Sequence, residues 1–124
     1  MAAPESVPLV VLAEFDEPGK LAGPLVHAGY RTETMDTADA ALRFCGINKV
    51  NVVISRVLFR YGINGVELAQ RLQSMASAPH VVLMTTYQAE RLRKIPGYPP
   101  QGVPILRKPI VTAELLKIVN SFVS

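Results

Sequence analysis

Five short apolar, β-branched runs punctuate this chain: Pro8 to Ala13, Arg31 to Thr34, Val50 to Ser55, His80 to Thr85 and Val103 to Arg107. The second is the weakest, and segments with helical spacing separate them all. From Asp36, a suitable N-cap, Ala38, Ala41, Leu42 and Cys45 recur on one helix face. From Gly65, Leu68, Ala69, Leu72 and Met75 do the same, with Glu67 and Arg71 four apart on the outer face. Thr112 is placed to cap a last helix whose inward stripe is Leu115, Ile118, Val119 and Phe122. Strict alternation of strand and helix leaves few folds. The expectation is an α/β domain with a five-stranded parallel sheet and helices on both faces.

Two connections are irregular. The first helix, between Asp16 and Ala28, must carry Gly19, Gly23 and Pro24, and an interior proline removes a backbone hydrogen bond at a cost of ~3 kcal/mol. It is expected to be kinked or short. After the fourth strand, Pro96, Pro99 and Pro100 limit any helix to about two turns, from Gln88 to Lys94, so that loop must cover part of one sheet face.

With 124 residues, 49% of them apolar, the chain can build a core as one domain, 1-124. No apolar run approaches the ~20 residues of a membrane span, and VPLVVLA near the N-terminus is short and lacks a basic leader. A cytoplasmic protein with no membrane contact is expected. Cys45 is the single cysteine, which excludes an internal disulfide and a zinc framework and reads as a buried structural thiol. The net charge of +3 is unevenly placed, with Arg91, Arg93, Lys94, Arg107 and Lys108 close in sequence. No aromatic stacking platform or reading helix accompanies them, which argues against nucleic acid.

The third strand, VVIS, ends on Arg56, and in open α/β sheets chemistry collects at the carboxyl ends of strands. Around it stand AGY (Ala28 to Tyr30) before the second strand, NGVELAQRL after a loop, VVLMTTY at the fourth strand and LRKP at the fifth. With these landmarks nearly the whole chain resembles the receiver domain of two-component response regulators. The distance from position 56 to Gly65 and the ending GVPILRKP look like a subgroup with a longer loop after strand three and a reduced fourth helix. The resemblance implies a doubly wound, flavodoxin-like sheet.

It also implies a phosphoryl acceptor where Arg56 stands. A guanidinium has no lone pair to offer and stays protonated, so it can neither attack phosphorus nor ligate a metal. A register error of one would put Ser55 or Val57 there, and neither is a carboxylate. The acidic pair that would hold Mg²⁺ aligns with Ala13 and Glu14, leaving one carboxylate; the alternative alignment uses Asp16 and Glu17. Thr85 and Lys108 match the hydroxyl and the lysine of the pattern, and Ile105 replaces its switch aromatic. The whole looks like a pseudo-receiver, with no cofactor and no metal, in which Arg56 pairs internally with Glu14, joined by Asp16 in one version.

Such a chain would act by protein contact, with a sensor histidine kinase or another signalling protein as partner, or with itself as a homodimer. Phe59 and Tyr61 in the loop after Arg56, and Leu116 and Val123 widening the last helix's stripe, are the candidate interface; packing over the crevice is the bland alternative for the two aromatics. Two other readings remain: a phosphorylatable receiver using Asp16 or Glu14, and a small-anion or nucleotide-binding module, the anion held by Arg56, Lys108 and Thr85. No glycine-rich phosphate loop follows the first strand. His27 and His80 read as surface or boundary residues, and no nucleophile and base pair suggests an enzyme.

Overall fold

A computed structural model describes residues 7–14, 19–86 and 88–123. The order is β1 (Leu9–Ala13), α1 (Gly19–His27), β2 (Arg31–Met35), α2 (Ala38–Ile47), β3 (Val52–Arg56), α3 (Gly65–Gln73), β4 (His80–Thr85), α4 (Ala89–Leu92), β5 (Ile105–Arg107) and α5 (Thr112–Val123). All strand pairs are parallel, in the order β2-β1-β3-β4-β5, the doubly wound flavodoxin-like arrangement.

Strand alternation divides the core in two. Leu9, Val11, Ala13, Val53, Val81 and Leu83 face α2 and α3, meeting Ala38, Ala41, Cys45, Leu68 and Leu72. Val10, Leu12, Val52, Ile54, Val82, Met84 and Leu106 face the other way, onto Leu21 and Leu25 of α1 and Leu115 and Val119 of α5. The edge strand β2 carries half-buried and exposed residues, which is why its sequence signal is weak.

The irregular connections resolve in different ways. α1 runs through Pro24 for nine residues, so the missing N–H costs one hydrogen bond to the Lys20 carbonyl without ending the helix. The buried Leu21 and Leu25 hold it to the sheet. α4 is four residues long, and the α2 and α3 face is completed by Leu92, Ile95, Tyr98 and Val103, most of them in loop.

Two expected caps move. Thr37, not Asp36, caps α2: its backbone is extended and its Oγ1 accepts from the Ala40 N–H at 3.1 Å, a register that turns Ala38, Ala41 and Cys45 inward. Thr112 lies inside α5, whose first turn closes from the Leu115 N–H to the Val111 carbonyl at 3.1 Å. Asn64 caps α3, accepting from the Glu67 N–H at 2.9 Å, and Glu67 pairs with Arg71 at 2.6 Å as the spacing anticipates.

α3 begins hard against the end of β3. The Gly65 N–H donates to the Val57 carbonyl at 2.7 Å, and a Cβ on Gly65 would stand 2.0 Å from the Arg56 carbonyl oxygen. Backbone cannot yield as a flexible side chain can. Gly65→Ala is expected to cost about 2 kcal/mol or more in urea denaturation. On the same face, burial pushes the Cys45 thiol up to about 11. Its neutral form is favoured by folding, so this contribution is full below the unfolded thiol's value and lost as pH rises towards 11. Labelling with a thiol-specific disulfide reagent at pH 8 should be slow in the folded protein and fast in urea.

Candidate functional site

The carboxyl ends of β1, β3 and β5 converge by periodicity. Glu14, Arg56 and Lys108 each follow by two residues a core residue of the α1 and α5 face, namely Leu12, Ile54 and Leu106. The ladder continues past the strands, with the Glu14 N–H donating to the Met35 carbonyl at 3.1 Å and the Lys108 N–H to the Thr85 carbonyl at 2.8 Å. Ala13 pairs with Ser55, so Glu14 comes beside Arg56. Three charged side chains are thereby aimed at one point.

Glu14 is the centre. Its side chain is 1% exposed, its Oε1 accepts from Arg56 Nη1 at 3.1 Å, and its Oε2 from Lys108 Nζ at 2.6 Å. Arg56 also donates through Nε to the Leu58 carbonyl at 3.2 Å, which fixes the guanidinium against the loop that leaves β3. The expected pair of Arg56 with Glu14 is present, and Lys108 completes it from the far side of β3. Burial of one carboxylate is tolerated because each of its oxygens faces a cation. Asp16 and Glu17 lie outside the described residues.

Beside this cluster, Arg56, Val57, Leu58, Met84, Thr85, Thr86 and Lys108 line a cavity of only about 20 Å³. That is room for roughly one water. A larger cavity, about 480 Å³, opens on the other side of Lys108, lined by Glu14, Lys20, Leu21, Lys108, Pro109, Ile110 and Thr112. Nothing in the sequence spacing signalled it, because its walls come from α1 and from the connection into α5.

The loop after Arg56 is tied down. Asp39 of α2 accepts from the Ile63 N–H at 3.1 Å through Oδ2 and lies against Gly62, whose φ of 72° is open to glycine. Phe59 packs partly buried on the core of the α2 and α3 face, while Tyr61 is 75% exposed. Leu116 and Val123 are half-buried, each packed by one side on the α1 and α5 core. α5 covers more of the sheet than its central stripe. The grouped cations separate likewise: Arg91, Arg93, Lys94 and Arg107 are exposed, whereas Lys108 turns inward to Glu14. His27 and His80 are both exposed, and the His80 ring stacks on Phe122 with ring centroids 4.4 Å apart, a contact between β4 and α5 that spacing alone could not show.

A Mg²⁺ ion suits these residues poorly. Both oxygens of Glu14 are taken by cations, and Arg56 offers no ligand. Among the described residues, no three of the types His, Cys, Asp and Glu stand close enough together to hold a metal ion, and none of the helices is long and apolar enough to cross a membrane.

No protein-family model and no curated protein matches the chain. Solved structures do. A response regulator receiver protein from Sinorhizobium medicae superposes with a TM-score of 0.83 at 16% identity, over 96% of both chains. The signal receiver domain of an HD domain-containing protein from Pseudomonas fluorescens gives 0.81 at 19% identity, over 99% of this chain and 91% of that one. The receiver domain of a sensor histidine kinase from Pseudomonas aeruginosa, with a magnesium ion coordinated in its active site cleft, gives 0.82 at 15%, over 94% and 98%. The chain has the fold of response-regulator receiver domains.

Replacing Glu14 by Gln keeps the shape but removes the charge that holds two cations. The fold should lose about 2–3 kcal/mol, read as a clear drop in melting temperature. An unchanged melting temperature would remove the cluster's structural role.

Proposed function

We propose that this protein is a receiver-type signalling domain that accepts no phosphoryl group at the end of β3 and works by binding a protein partner. The observation that carries the reading is Arg56 at that strand end, ion-paired with the buried Glu14. Phosphoryl transfer to a receiver needs a nucleophilic oxygen and a hard-ligand cation site. Here a guanidinium takes the first place and occupies the carboxylate that would serve the second. The adjoining space of about 20 Å³ is also small for a phosphoryl group.

In this reading Arg56 and Lys108 do for Glu14 what a metal ion would otherwise do, and the arrangement at the strand ends is held without phosphate or Mg²⁺. The balance between receiver conformations is then set by the sequence. Partner choice lies with the surfaces, among which Tyr61 on its pinned loop is the exposed aromatic nearest the cluster in sequence. A sensor histidine kinase or another signalling protein is the partner class that the fold supports, and a second copy of the chain is the other candidate.

Phosphorylation at Glu14 instead is disfavoured by its 1% exposure and its two short ion pairs. One experiment covers both readings. After incubation with Mg²⁺ and acetyl phosphate, and separately with an autophosphorylated sensor kinase, intact mass should show no phosphoryl adduct. A single stable adduct at any carboxylate would overturn the proposal.

A further inference from the structure

We propose that the outer edge of β2 pairs with the same edge of a second copy of this chain, antiparallel and centred on Thr32, joining the two sheets into one. β2 is the outermost strand on its side, and among the described residues no strand pairs with its free edge. It runs in unbroken register with β1 from Arg31 to Met35, with no proline, glycine or bulge to blunt it. The opposite edge of the sheet is protected: β5 has three residues, and Pro104 and Pro109 stand on either side of it. Arg31, Glu33 and Thr34 are exposed, so the edge of β2 is open to solvent.

The backbone sets which residues can meet. The Arg31 N–H donates to the Pro8 carbonyl at 3.0 Å, and the Met35 carbonyl accepts from the Glu14 N–H at 3.1 Å, so Arg31, Glu33 and Met35 turn their backbone groups to β1. Thr32 and Thr34 therefore direct theirs outward. A two-fold pairing must set outward residues opposite outward ones, so its axis passes through a residue. Centred on Arg31 or on Glu33, it places like charges directly opposite each other, and a centre further along shortens the overlap. Centred on Thr32, it places Arg31 of each copy opposite Glu33 of the other. The two threonines then exchange both hydrogen bonds, and the charged pairs take the closer, non-hydrogen-bonded positions. Arg31 and Glu33 stand beside Leu9 and Val11 of β1, so both pairs form on the face that carries α2 and α3.

The occupant is a second copy because the complement is already present. An edge with one cation and one anion two residues apart matches its own antiparallel image in charge and in backbone hydrogen bonding at once. A five-residue strand buries little area, so the association is weak, with a Kd on the order of 10–100 μM. The pairing needs no phosphoryl chemistry and stands or falls apart from the reading of Arg56.

The test is sedimentation velocity of the full chain at concentrations from about 5 to about 500 μM, with ¹⁵N amide shifts followed over the same range. The wild type is expected to pass from monomer to dimer, and the Thr32 and Thr34 amides to shift along the same curve. Arg31→Glu and Glu33→Arg each set like charges opposite and should weaken association at least about tenfold. Mixed in equal amounts, the two variants restore both opposite-charge pairs between unlike copies and should associate about as tightly as the wild type. A monomer throughout overturns the proposal, and so does a dimer that both folded variants retain. Variants that dissociate singly and do not recover when mixed overturn the register centred on Thr32. If a reversal lowers the melting temperature, the wild type alone decides: concentration-dependent shifts that spare β2 overturn the pairing. Intact mass after acetyl phosphate treatment reads the Arg56 proposal separately, so either can fail without the other.

Discussion

One carboxylate ties the active end of this sheet together. Glu14 leaves β1 with almost no access to water, and its two oxygens reach Arg56 after β3 and Lys108 after β5. A charge buried to this degree is costly unless it is paired, and removal of either cation would leave part of that cost uncompensated. The three strand ends are thus held by a requirement of electrostatics as well as by the ladder. Arg56 extends the constraint into the following loop through the Leu58 carbonyl, and Asp39 secures the far part of that loop to α2. What would be an open, reactive crevice in a sheet of this type becomes a closed ionic knot with a much larger cavity beside it.

The two faces of the sheet are finished differently. α1 and α5 cover one with long apolar stripes, to which Leu116, Ile118, Phe122 and Val123 contribute from the margins. On the other, α2 and α3 are joined by a proline-rich segment with little helix, and Leu92, Ile95, Tyr98 and Val103 supply from loop what a full helix would have supplied. Shortening α4 therefore leaves a packed face, since hydrophobic burial depends on where the side chains lie and not on the backbone that presents them.

Legibility in the sequence followed the range of the interaction. The central strands could be read because buried strands are uniformly apolar, and His80–Thr85 needed no revision. β2 was faint because an edge strand keeps polar residues. The pair of Arg56 with Glu14 could be anticipated, because two strands adjacent in a doubly wound sheet bring their ends together and chemistry leaves arginine few other partners there. Lys108 reaching the same carboxylate depended on how far β5 extends and on the turn that follows, and the cavity beyond it depended on α1.

By itself the sequence determined the order of elements, the parallel sheet, and the presence of a guanidinium in place of any carboxylate at the end of β3, because periodicity and functional-group chemistry are local properties. Tertiary structure decided which residues share the charge of Glu14, that Leu116 and Val123 pack by one side on the core, that Thr37 caps α2, and that Lys20 and Thr112 line one cavity. Those outcomes rest on distances between segments far apart in the chain, which the packing of two helix layers on one twisted sheet sets and no spacing along the sequence records.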